Sequence, residues 1–138
     1  MDMHQTMLTG NLGKDPEMRY SPEGNAVVNF SVASSWQYTA NSGEVVKETC
    51  WTRITVWGKR AEACNHYLRK GSKVLVIGRL KPDKETGGPK IWTGQDGTVR
   101  SNFELLASFI QFLTPSTTVT AADGDDFGGG TPEEDIPF

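Results

Sequence analysis

The segment at residues 48–59, ETCWTRITVWGK, constrains this chain more than any other. Its run of Thr, Ile, Val and Trp is strand chemistry, and a strand sends successive side chains to opposite faces. Cys50, Thr52, Ile54 and Val56 then share one face, small and mostly apolar, while Trp51, Arg53, Thr55 and Trp57 share the other. A half-buried strand would carry polar residues opposite its Ile/Val face. Here two tryptophans flank an arginine instead. Two readings fit. In one, the tryptophans belong to a core or a subunit interface, with the Ile/Val face packed on a second layer. In the other, they are flat platforms beside a cation, the arrangement that holds unstacked nucleic-acid bases.

The rest of the chain reads mostly as strands. Gln5 to Leu12 is a short strand running into Gly10-Asn11-Leu12-Gly13. Asp15-Pro16 and Ser21-Pro22-Glu23-Gly24-Asn25 are turn chemistry, with Met18-Arg19-Tyr20 a brief extended piece between them. Residues 26–35 alternate, with Val28, Phe30 and Val32 on one face and Val27, Asn29, Ser31 and Ala33 on the other. Trp36 and Tyr38 fall where polar loop residues begin, ahead of an Asn41-Ser42-Gly43 turn. After Gly58 the period becomes helical. Ala61, Cys64 and Leu68 fall at i, i+3 and i+7, Glu62, Asn65 and Arg69 lie outside, and Lys70-Gly71 closes the helix. Residues 73–80 are apolar on both faces, as a central strand would be. A loop, KPDKETGGPK at residues 81–90, leads into a hairpin of Ile91-Trp92-Thr93 and Thr98-Val99 around Asp96-Gly97. Residues 101–113 form a long closing strand, Phe and Ile content favouring strand over helix. Phe103, Leu105, Ala107 and Phe109 take one face, Leu106, Ile110 and Phe112 the other.

A chain of 138 residues fits one domain plus a tail. The net charge of −3 would argue against nucleic acid, but it is an average over two unlike parts. All 14 basic residues precede Thr114, against 11 of the 17 acidic ones, so the body stands near +3 and the end at −6. That end carries Pro, Ser/Thr, Gly and acid with almost nothing to bury, so it cannot offset its ordering entropy and is expected to be disordered. It finishes Glu133-Glu134-Asp135-Ile136-Pro137-Phe138. Either the tail only solubilises, or Ile136 and Phe138 fill a partner's pocket while a basic rim takes the terminal carboxylate. No long apolar run would span a membrane. The opening residues lack a signal-peptide layout, so a cytoplasmic location is expected. Cys50 and Cys64 match no metal or disulfide spacing and read as small buried thiols.

Five principal strands, with one short helix between the third and fourth, are the layout of an OB-fold, a five-stranded Greek-key barrel whose relatives bind oligonucleotides. The expectation is an all-β OB-fold over residues 1–113, followed by a disordered acidic tail over residues 114–138. At this point the sequence resembles the bacterial-type single-stranded DNA-binding proteins. The resemblance rests on Gly10-Asn11-Leu12-Gly13-Lys14-Asp15-Pro16-Glu17, Arg19-Tyr20, Ala33, Trp51 with Arg53, Trp57-Gly58-Lys59, Tyr67-Leu68-Arg69-Lys70-Gly71 and Gly78-Arg79-Leu80. The tip Asp135-Ile136-Pro137-Phe138 completes it. It implies a non-enzymatic homotetramer that coats single-stranded DNA at the nucleoid during replication, recombination and repair. It also implies base stacking on Trp36, Trp51, Trp57 and Trp92, and phosphate contacts from Arg53, Lys59, Lys70, Lys81 and Lys90. Partner proteins would dock on Asp135, Ile136, Pro137 and Phe138. The third platform is often Phe in that family, so Trp57 is larger than usual. Two features depart from the pattern: the hairpin at Tyr38-Thr39-Ala40-Asn41 is neutral, and the loop at residues 81–90 is long.

Two rivals stand beside this reading. An enzyme would need a nucleophile paired with a base, a phosphate loop or clustered metal ligands. His4, His66, Cys50 and Cys64 form no such set, and the only acidic cluster lies in the tail. No cofactor or metal is expected. A protein-binding OB module would explain the tail and fold but not Trp51, Arg53 and Trp57 on one face.

Overall fold

The structure, a computed structural model, describes residues 1–114. Most of the acidic tail expected from Thr114, including the tip Asp135-Ile136-Pro137-Phe138, lies outside them. Seven strands and one helix follow in order: β1 (Thr6–Leu12), β2 (Glu17–Tyr20), β3 (Ala26–Thr39), β4 (Val45–Trp57), α1 (Lys59–Tyr67), β5 (Lys73–Leu80), β6 (Lys90–Thr93) and β7 (Val99–Phe112). The five long strands run β1-β5-β7-β4-β3, and β3 returns to β1 through Asn11↔Ala33 and Leu12↔Val32, which closes the barrel. β4 and β7 are parallel; the other pairings are antiparallel. This is the expected OB-fold with its single helix between the third and fourth barrel strands. The short pieces β2 and β6 hang on the outer edges of β3 and β7.

The alternation read from the sequence fills the barrel. Val28, Phe30 and Val32 meet Ile54 and Val56, Val74 and Val76, Leu105 and Leu12 in one cluster. Each fully buried Val, Leu or Ile contributes about 1.5–3 kcal/mol relative to exposure. α1 adds Ala61 and Cys64, and Leu68 follows just past its end. Burial of the Cys64 thiol pushes its pKa up to about 11. The other face of β3 is less open than its sequence suggests. Val27 and Asn29 are buried there, beside their cross-strand partners Arg19, Trp57, Glu17 and Thr55.

Two expectations need correction. Trp36 and Tyr38 do not open a loop: β3 continues to Thr39, and the ladder with β4 runs unbroken to Thr39↔Val45. The faces of the closing strand also change partway. Ile77 pairs with Phe109 and Gly78 with Ala107, so Ser108 is an extra, bulged residue. Its hydroxyl donates to the Ile77 carbonyl at 3.2 Å, and its own carbonyl accepts from Arg60. A bulge shifts the alternation by one. Leu105 and Ala107 face the core before it and Ile110 and Phe112 after it, which leaves Phe109 exposed. A strict two-residue period places Phe109 with Leu105 and misses this. Gly78 permits the bulge: a Cβ there would stand 2.1 Å from the Leu106 carbonyl oxygen.

Candidate nucleic-acid interface

Pairing divides the four tryptophans into two groups. β4 joins β7 only from Thr52↔Phe103 onward, and β3 leaves β1 after Ala33. Residues 34–39 and 45–50 therefore pair only with each other, as a two-stranded ribbon. β6 pairs with β7 residues 99–102 as a second ribbon. Because β4 and β7 are parallel, both ribbons leave the same end of the barrel. Trp36 is on the first and Trp92 on the second. Trp51 lies at the root of the first ribbon, opposite Ala33, and Trp57 at the far end of β4, opposite Val27.

All four rings are about half exposed, at 50% for Trp36, 53% for Trp51, 49% for Trp57 and 40% for Trp92. That level excludes a core role and leaves ring surface open for stacking. Trp51, Arg53, Thr55 and Trp57 share the outward face of β4, as the alternation requires, while Thr52, Ile54 and Val56 are buried. Six residues at about 3.3 Å each place Trp51 and Trp57 about 20 Å apart. Trp36 pairs with Glu48 and so falls on the opposite parity from Trp51. It continues the barrel's inner face out along the ribbon, and it does not join the Trp51–Trp57 row.

The basic candidates are spread around this face. Arg53 lies between the two β4 tryptophans, cross-strand from Ser31, and makes no ion pair among the described residues. Lys59 opens α1 one residue past Gly58, whose N–H donates to the Ala26 carbonyl at 2.9 Å. Lys70 sits in the α1–β5 loop, tied to the β1–β2 loop: its N–H donates to Asp15 Oδ1 at 2.8 Å, and Gly71 N–H donates to the Leu12 carbonyl at 2.9 Å. Lys81 starts the β5–β6 loop, its N–H donating to Glu104. Lys90 opens β6, opposite Asn102 and on the same side as Trp92.

Three residues near these candidates escaped the sequence reading. Arg100 is cross-strand from Trp92 and pairs with Asp96 at 3.3 Å. Hydrogen bonds from Thr98, with a smaller one from Arg100, hold Asp96 below the usual carboxylate range. The Asp96-Gly97 turn could have revealed Arg100, since turn geometry fixes hairpin register. Lys14 and Asn29 line a pocket of about 300 Å³ beside Trp51 and Arg53. Nothing in a single strand's alternation signals that a loop will fold over it. Among the described residues no cluster of three or more His, Cys, Asp or Glu assembles, and no helix is long and apolar enough to cross a membrane.

Residues 3–113 match the model of the single-strand binding protein family. The chain belongs to that family. Similar proteins include single-stranded DNA-binding proteins of Neisseria meningitidis serogroups A and B, each 38% identical over 113 residues. The match covers 82% of this chain and 61% of each relative, so the chain spans less than two thirds of their length. Among solved structures, a Plasmodium falciparum SSB in complex with single-stranded DNA superposes with a TM-score of 0.66 at 26% identity, covering 82% of this chain and 97% of that one. A deletion mutant of the Thermus aquaticus single-stranded DNA binding protein gives 0.62 at 29%, covering 80% and 50%. Family membership bears on the first of the two rival readings. Proteins of this family are non-enzymatic, which sets the catalytic rival aside.

Proposed function

We propose that this protein binds single-stranded DNA without sequence preference, by base stacking and phosphate contacts. The carrying observation is the outward face of β4, where half-exposed Trp51 and Trp57 flank an Arg53 that has no ion-pair partner among the described residues, in a barrel of the single-strand binding family. Every base has a π-face, and stacking one on an aromatic side chain contributes roughly 1–3 kcal/mol. Trp36, Trp51, Trp57 and Trp92 supply four platforms. Arg53, Lys59, Lys70, Lys81 and Lys90 supply positive charge along the route. A paired, stacked duplex offers no free base face, so it is excluded. Titration with oligo-dT should quench tryptophan fluorescence, and a duplex of equal length should not. Equal quenching by both would overturn the reading.

The same reading extends to assembly and partners, in DNA replication, recombination and repair at the nucleoid of the cytoplasm. Met7, Ile77 and Phe109 form one cross-strand row on the outside of β1, β5 and β7, around the barrel from the β4 face. β1 also ladders with β3 only at Asn11 and Leu12, leaving residues 6–10 with an unladdered edge. An apolar row beside an open strand edge suits a second copy, and the assembly proposed is a homotetramer. Sedimentation should give four subunits; a monomer at micromolar concentration would refute it. The tip Asp135-Ile136-Pro137-Phe138 is proposed as a docking peptide for partner proteins. Deleting residues 135–138 should spare oligo-dT binding and abolish partner recruitment, and recruitment that survives the deletion would sink the idea.

A further inference from the structure

The pocket beside Trp51 holds a feature that sequence-tolerant stacking does not use. Its floor includes Asn29, which is 6% exposed. Asn29 Oδ1 accepts from the Thr55 hydroxyl at 2.8 Å. The amide nitrogen has no hydrogen-bond partner among the described residues. With its oxygen taken up by Thr55, the nitrogen is the polar atom that Asn29 can offer to a ligand in the pocket. The charges around it balance: Lys14 and Arg53 face Asp15 and Glu17. Asp15 is already engaged by the Lys70 N–H at 2.8 Å. A phosphate would meet two carboxylates here. A neutral ring lying against Trp51 would meet none of that repulsion and would bring an acceptor to Asn29.

We propose that this pocket is a base-reading subsite, in which a nucleobase stacks on Trp51 and a carbonyl oxygen on its edge accepts from Asn29 Nδ2. The proposal rests on the single-stranded DNA reading and deepens it: one position along the bound strand is read by a hydrogen bond, while the other platforms only stack. Thymine, cytosine and guanine carry such an oxygen, and adenine does not.

The test compares oligo-dT with an oligonucleotide of difluorotoluene nucleotides, which keep thymine's shape and lose its carbonyl oxygens. The affinity ratio between the two is measured for the parent chain and for Asn29→Ala. The parent ratio should exceed the variant ratio by about 2- to 10-fold, the range of one neutral hydrogen bond. Asn29→Asp provides the same comparison if the alanine variant fails to fold. It keeps the size and the Thr55 bond but cannot donate to a carbonyl oxygen, so the ratio should fall at least as far as in the alanine variant. A ratio unchanged in a folded variant overturns the base-reading role alone. Failure of the parent to bind either oligonucleotide overturns the DNA reading with it.

Discussion

Trp51 lies on Gly13. A Cβ built at position 13 would stand 2.6 Å from Trp51 Cζ3 and 2.8 Å from Cη2, closer than any side chain could approach without moving the ring. Gly13 N–H donates to the Ser31 carbonyl at 3.0 Å, which pins the β1–β2 loop against β3 and fixes where the ring must rest. Gly13 is thus a positioning residue for the platform at the root of the ribbon. Gly13→Ala should weaken oligo-dT binding by up to the roughly 1–3 kcal/mol that one platform contributes. Trp51→Phe removes the atoms that clash, so in that background Gly13→Ala should cost far less. A double-mutant cycle measures this coupling; equal cost in both backgrounds would mean that Gly13 acts on the loop and not through Trp51.

Two of the three tryptophans outside the pocket test the platform idea separately. Trp57 is at the far end of β4 and Trp92 on the second ribbon, and both are about half exposed. Trp57→Ala and Trp92→Ala should each cost roughly 1–3 kcal/mol of oligo-dT affinity. Each should also remove part of the fluorescence quench. Full affinity in either variant, with an unchanged unfolding midpoint, would remove that ring from the interface.

What was legible in the sequence was what two-residue alternation encodes. The faces of β4 follow from it, because residues 45–57 pair with β3 without a bulge and residues 52–55 pair with β7 as well. The ends of β3 and the faces of β7 did not. Trp36 and Tyr38 look like loop chemistry, and only cross-strand partners as far as Val45 make them strand. Ser108 looks like any small strand residue, yet as a bulge it turns Phe109 out and Ile110 in. The pocket was illegible for a related reason. It forms where Gly13, Asn29 and Trp51 meet from three elements far apart in the chain, and local periodicity carries no information about which loop covers which strand.

Phosphate contacts leave a signature distinct from stacking. Each phosphate neutralised on a single strand adds about −0.7 to the slope of log affinity against log salt. Arg53→Gln, Lys59→Gln and Lys70→Gln should each flatten that slope by about 0.7 if each side chain meets one phosphate. Lys70 is held beside Asp15 through its backbone N–H, and its side chain makes no ion pair among the described residues. Arg53 borders the charge-balanced pocket, so the slope also decides whether it meets a phosphate: an unchanged slope in Arg53→Gln, with affinity reduced, would assign it to the base or to pocket geometry.

The buried thiol of Cys64 makes stability depend on alkaline pH. Burial raises its pKa from 9.0 to about 11, so the folded state keeps a proton that the unfolded chain loses. Stability falls with pH wherever the native state binds more protons. This contribution is therefore fully present below about pH 9 and declines as pH rises toward 11. Cys64→Ala removes the group and should flatten that part of the profile, while its cavity lowers stability by an amount that does not change with pH. Urea unfolding of both proteins from neutral to alkaline pH checks the difference directly, since Tyr and Lys titrations common to both cancel. The half-buried Cys50 supplies an internal reference: a thiol reagent at mildly alkaline pH should label Cys50 well before Cys64. Equal labelling rates, or parallel pH profiles, would show that the Cys64 thiol is not held in its neutral form by the core.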